Sequence, residues 1–188
     1  MNIQIIIGST RPGRVSPQIA QWVFEHVPKN SNTTYELVDV ADYNLPLYDE
    51  PMHPMMAQYS HDHTKKWSAK IAQADGYIFV TAEYNGGVPS SLKNALDYLY
   101  QEWTAKPAMI VSYGVGGGIS ASGQLQQSFA ILKMKTTGTA ALTITRAMSR
   151  GDGQLRNPEV DFKPYETALL EATDELLNNQ DVNEAFNN

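Results

Sequence analysis

A chain of 188 residues is long enough to bury one sizeable core and too short to expect two full domains. With 42% hydrophobic and 18% charged residues it has the composition of a packed globular protein, and a formal charge of -6 argues against general nucleic-acid binding, because phosphate backbones demand a broad basic surface. There is no cysteine, which excludes disulfides, thiolate catalysis and cysteine-ligated metals.

The first eight residues lack the basic start and longer apolar stretch of a secretory signal, and no segment is apolar enough to span a bilayer, so the expected location is the cytoplasm. Residues 3–7 form a β-branched run ending at Gly8, as expected for a strand buried on both faces. A helix follows, with Ser16 as its cap, Pro17 at its first position and Ile19, Trp22, Val23 and Val27 on one face. The pattern repeats as a strand over 35–40, a helix over 66–74 bearing Trp67, Ile71 and Ala74, and a strand over 76–81. Next come a helix over 89–103 with the stripe Leu92, Ala95, Leu96, Leu99 and Trp103, and a strand over 108–113. A helix after Gly118 carries Leu125, Phe129 and Leu132, a strand spans 140–145, and a last helix is marked by Tyr165, Ala168, Leu169, Ala172 and Leu176. The alternation predicts an α/β domain over 1–180 with a parallel, doubly wound sheet of five strands, then a polar tail over 181–188. Two long connections, 41–61 and 146–164, read equally as lids or as solvated loops.

In such a sheet ligands bind beside the strand C-termini, so the loops after strands one, three and four carry the functional argument. The first, 8–16, joins strand to helix and offers Ser9, Thr10, Arg11, Arg14 and Ser16, a set that suits a phosphate held by helix amides and guanidinium groups; the alternative is a solvated turn. It departs from the triphosphate loop, because Arg14 and Val15 stand in place of the lysine and the magnesium-binding hydroxyl. It also lacks the close-spaced glycines of a dinucleotide fingerprint, which leaves Asp39 as a strand-end capping group. The second loop, 81–90, combines Tyr84 and Asn85 with Gly86 and Gly87, a platform on which a flat heteroaromatic ring can lie or a bland turn before a helix. The third, 112–118, is richer in glycine than a connection requires, which fits close backbone approach to a ligand or a flexible linker.

The stretches 8–16, 83–86 and 92–97 together resemble the NADPH-dependent FMN reductase family. The resemblance implies a flavodoxin-like three-layer sandwich with strand order 2-1-3-4-5, and FMN with its phosphate on Ser9, Arg11, Ser16 and Gln18. It further implies Glu83, Tyr84, Asn85 and Gly86 bordering the isoalloxazine ring, with Ser112, Gly114 and Gly117 on the other side. Ala82 stands where the family usually has proline. The implied activity is hydride transfer from NADPH or NADH to flavin and on to a flavin, quinone or similar small acceptor by ping-pong kinetics. The cofactor carries the chemistry, so no protein residue is nominated as catalytic and no metal is expected. A flavodoxin-type carrier reduced by a protein partner is the alternative, and a nonenzymatic binding protein a third reading.

Three further features bear on this reading. His61 and His63 bracket Asp62 at a helix start; two apart, they are not expected to share a face, and they read as a solvated terminus instead of a metal site. The 146–156 segment, with three arginines, reads either as a nicotinamide-phosphate contact or as a solvated loop. The family implies a homodimer or tetramer, with Tyr98, off the core stripe, as an interface residue or a half-exposed surface tyrosine.

Overall fold

The computed structural model describes residues 1–179, so the tail expected at 181–188 lies outside the described residues. Among those described, β1 (Asn2–Ile7), β2 (Thr34–Asp39), β3 (Gly76–Ala82), β4 (Pro107–Gly114) and β5 (Lys135–Thr143) form one parallel sheet of order 2-1-3-4-5. Every residue of β3 is buried, as the continuous apolar run demands when helices cover both faces. The period-2 alternation then sorts side chains by face. Ile3, Ile5, Ile7, Ile78 and Val80 pack under α1 (Ser16–His26), α5 (Pro158–Phe162) and α6 (Glu166–Asn178). Ile6, Tyr77 and Phe79 pack under α2 (Asp62–Ile71), α3 (Ser90–Asp97) and α4 (Ile119–Ile131).

Helix α3 stops well short of the expected 89–103, although every residue of its predicted stripe is buried. Around this end Trp67 Nε1 donates to Ala95 O at 2.9 Å and Trp103 Nε1 donates to Leu96 O at 3.2 Å, while Leu96 O also accepts from Leu99 N at 3.3 Å in an i to i+3 pairing. The chain goes on in tighter turns, with Trp103 N donating to Tyr100 O at 3.2 Å. Strand β5 starts earlier than expected, at Lys135, because Gly138 lets α6 lie against it: a Cβ there would sit 2.6 Å from Ala172 Cα.

Both long connections are anchored. In 146–164, Leu155 and Phe162 are buried in the core with Trp22, so the solvated-loop reading fails for that part. In 41–61, the Glu50 carboxylate accepts from Ser60 N at 2.7 Å and His61 N at 3.0 Å, while Tyr98 donates to Asp49 Oδ1 at 2.9 Å and to Pro46 O at 3.1 Å. Tyr98 is therefore fully buried, which overturns both expectations for it: its hydroxyl is consumed inside the chain and leaves no face for a partner. Burial raises its pKa, as does the Asp49 carboxylate, so the hydroxyl stays a donor.

Candidate flavin site

The three loops converge at the C-terminal edge of β1, β3 and β4. Helix α1 begins there without a side-chain cap and without an acidic residue in its first turn; Pro17 has no N–H and Gln18 N and Ile19 N donate to Val15 O at 3.1 and 3.2 Å, so the start of the helix offers an external anion chiefly the positive end of its dipole. Ser16 does not cap the helix as expected; Val15 holds the cap position and Ser16 lies inside the first turn. Ser16 Oγ and the Tyr113 hydroxyl are buried near one another, and neither has a partner of good hydrogen-bond geometry among the described residues. Burial raises the Tyr113 pKa well above the usual tyrosine range, so that hydroxyl remains protonated.

The two arginines of the first loop have different roles. Arg14 is paired with Asp39, whose other oxygen accepts from Ala41 N at 3.0 Å, so Asp39 caps the end of β2 as expected. Arg11 has no carboxylate partner among the described residues; its guanidinium lies 5.9 Å from the Tyr84 ring centroid and donates to Gly13 O at 3.3 Å. Arg11 is thus the charge available to an anion at the α1 N-terminus. Ser9 Oγ and the Tyr84 hydroxyl share a 2.7 Å hydrogen bond, which joins the first loop to the second.

Tyr84 and Gly87 exchange backbone hydrogen bonds of 2.9 and 3.1 Å around Asn85 and Gly86. Both central residues have positive φ, 51° and 77°, the type I′ pattern that Asn-Gly satisfies at least cost. Ala82, at the end of β3, is buried. Glu83 Oε2 accepts from Ser120 N at 2.9 Å and Ala121 N at 3.4 Å, capping α4. In the third loop Ser112 Oγ donates to Gly117 O at 2.7 Å, and Gly114 O accepts from Gly117 N and Ile144 N. Gly118 has no room for a side chain, since a Cβ would lie 2.7 Å from Tyr113 N. The structure therefore brings Ser9, Arg11, Tyr84, Asn85, Gly86 and Gly114 to one edge, with Glu83 and Ser112 bracing the loops.

Gln18 bridges the first turns of α1 to a distant part of the chain. Its Nε2 donates to Gly153 O at 2.9 Å and its Oε1 accepts from Leu155 N at 3.0 Å, so both ends of the amide are engaged with the 146–156 segment. Sequence reading missed this pairing, as it missed the Ser9–Tyr84 contact, because both depend on tertiary proximity across long sequence separations. The histidines also differ from expectation. His61 is the extended residue before α2, with φ -90° and ψ 142°, so its ring escapes the helical 100° step and stacks on His63 with centroids 5.2 Å apart. His63 Nε2 lies 3.0 Å from Asp49 Oδ1, which ties this corner to the 41–61 connection. Among the described residues no cluster of metal-ligating side chains forms.

The model of the NADPH-dependent FMN reductase family matches residues 1–149. This chain belongs to that family. It is 49% identical over 147 residues to an NAD(P)H-dependent FMN reductase of Schizosaccharomyces pombe, covering 77% of this chain and 74% of that protein. It is 31% identical over 138 residues to a quinone reductase of Escherichia coli, covering 70% of this chain and 71% of that one. Among solved structures, the FerB NAD(P)H:acceptor oxidoreductase of Paracoccus denitrificans superimposes with a TM-score of 0.72 at 18% identity, over 95% of this chain and 98% of that chain. A flavodoxin of Pseudomonas aeruginosa gives 0.52 at 16% identity over 90% of this chain and 99% of that one, which shows a shared fold. The residues fit the family's cofactor: an uncapped helix start with Arg11 beside it for the phosphate, orphaned buried hydroxyls at Ser16 and Tyr113, and a shaped glycine turn for the ring.

Proposed function

We propose that this chain is an FMN-dependent NAD(P)H oxidoreductase that reduces flavins, quinones or similar small acceptors. The observation that carries the reading is the α1 N-terminus, left without cap or acidic side chain and joined through Ser9 and Tyr84 to the 83–86 turn. Bound FMN supplies the redox chemistry, taking hydride from the nicotinamide and handing two electrons to the acceptor in turn. The chain's residues supply binding and order. Arg11, Ser9, Ser16 and the positive end of the α1 dipole hold the phosphate, while the Tyr84–Gly87 turn and the 114–118 backbone flank the ring. Glu83 and Ser112 fix the spacing between those two loops by capping α4 and pinning Gly117. Backbone amides of the loops that flank the ring would favour negative charge there.

The activities for which the relatives are named, FMN reductase and quinone reductase, support a small-molecule acceptor in preference to a protein partner. The reading includes a cytoplasmic homodimer or tetramer without nucleic-acid or membrane partners. Its support is the acidic balance and the exposed apolar side chains Met55, Met56 and Ile131, which a second subunit would cover. Among the described residues no helix is long and apolar enough to cross a membrane. The test is anaerobic stopped-flow absorbance of the FMN-loaded protein mixed with NADPH and, in parallel, NADH. Rapid bleaching of the flavin is the expected result. Bound flavin that neither nucleotide reduces would replace this reading with an electron carrier.

A further inference from the structure

The 148–156 segment folds into a small hairpin: Arg150 N donates to Gln154 O, Arg156 N donates to Met148 O, both at 2.8 Å, and Ser149 pairs with Leu155. Leu155 fastens one side of it into the core. The tip presses on the first loop so closely that a Cβ on Gly153 would lie 2.7 Å from the Cα, C and O of Gly13. Gly153 itself has φ +84°, a backbone conformation open mainly to glycine. Gln18, in the first turns of α1, locks the tip in place with its two-ended amide pairing to Gly153 O and Leu155 N.

We infer that Gln18 is a positioning residue for the phosphate and not a ligand to it: with Gly153 it seats the hairpin against Gly13 and so sets the shape of the 9–16 cradle. This inference rests on the reading of the first loop as the FMN phosphate site. The physical argument is geometric. A loop that must present amides and Arg11 to one anion gains affinity by being held in the binding shape beforehand. From outside the loop, the Gly153 backbone lies directly against Gly13. The hairpin lies almost wholly beyond the 1–149 span that matches the family model, so this brace is supplied by the less shared part of the chain.

The experiment is a pair of fluorescence-quenching titrations, FMN and riboflavin, on the full chain and on Gln18→Ala, Gln18→Glu and Gly153→Ala, with thermal unfolding of each flavin-free protein. FMN and riboflavin differ in the phosphate, so a change in their ratio reports on the cradle and a general loss of fold does not imitate it. Gln18→Ala and Gly153→Ala are expected to weaken FMN binding about tenfold, equivalent to about 1.4 kcal/mol, with riboflavin nearly unaffected. Gln18→Glu keeps the acceptor for Leu155 N but sets a carboxylate against Gly153 O and adds negative charge near the phosphate, so it is expected to lose at least as much as Gln18→Ala; Gly153→Ala, which leaves Gln18 in place, keeps the inference testable should Gln18→Ala fold poorly. If the Gln18 variants lose FMN while Gly153→Ala does not, Gln18 is a direct phosphate ligand and the inference is overturned. Equal FMN affinity in all variants overturns it as well. A wild-type protein that binds FMN no better than riboflavin refutes instead the reading of the first loop on which it rests.

Discussion

Glu83 separates two accounts of one residue. As a ring neighbour its loss would alter the flavin; as the cap of α4 its loss would alter the fold. The structure gives it two backbone amides, Ser120 N at 2.9 Å and Ala121 N at 3.4 Å, and a negative charge at the positive end of a 13-residue helix. Loss of a side-chain cap costs about 0.5–2 kcal/mol. The charge–dipole part, about 0.3–1 kcal/mol, belongs to the carboxylate alone. Glu83→Ala should therefore destabilise the flavin-free protein by about 1–2 kcal/mol, and Glu83→Gln, which keeps an acceptor, by less than about 1 kcal/mol. For a chain of this size each kcal/mol lowers the melting temperature by about 2–4 °C. Urea denaturation at neutral pH, followed by circular dichroism, reads the difference directly. Glu83→Ala with wild-type stability but a shifted spectrum of the bound flavin would refute the capping role and return Glu83 to the ring.

Three further outcomes are expected. Gly118→Ala places a Cβ 2.7 Å from Tyr113 N at a residue with φ +71°, so strain of about 1–3 kcal/mol adds to the clash and the melting temperature falls; an unchanged value would show that the third loop yields. Tyr84→Phe removes the hydrogen bond to Ser9, worth about 0.5–1.5 kcal/mol, and a titration with FMN should show correspondingly weaker binding; unchanged affinity would mean that the first two loops hold their shapes independently. The third concerns acid. Burial alone would raise the Asp49 pKa, but hydrogen bonds from Tyr98 and His63 outweigh it and hold the carboxyl below its ordinary value of 3.8. A depressed carboxylate pKa stabilises the fold at pH values above 3.8, and that contribution disappears as pH falls through the lower folded value. Asp49→Asn should thus flatten the acid limb of a stability–pH profile; a limb identical to wild type would sink the argument.

Periodicity reveals which residues are inside, and it did so for β3 and for the whole stripe of α3. It does not reveal where a helix stops. Trp67 and Trp103 are each read correctly as core, yet nothing local announces that their indoles will bond the carbonyls of Ala95 and Leu96 where the helix ends. The same limit explains the site. Backbone roles carried by residue type, such as Asn85 and Gly86 at positive φ, are legible because few other residues adopt them. The partners of Gln18 and Glu83 are not, since an amide or carboxylate satisfies many acceptors and donors and only the folded loops decide which. Tyr98 shows the converse error: a residue off the stripe was assigned to the surface, when a long connection folds over it and takes its hydroxyl.

The contacts of Gln18 span 135 and 137 residues, nearly the whole described chain. On the ribosome, the first loop therefore emerges well before the segment that pairs with Gln18. Long-range closure of this kind comes late in folding as well, because its entropy must be met before the contact rewards it. A nascent chain halted before residue 153 would carry the first loop without either partner of the Gln18 amide and without the backbone that lies against Gly13.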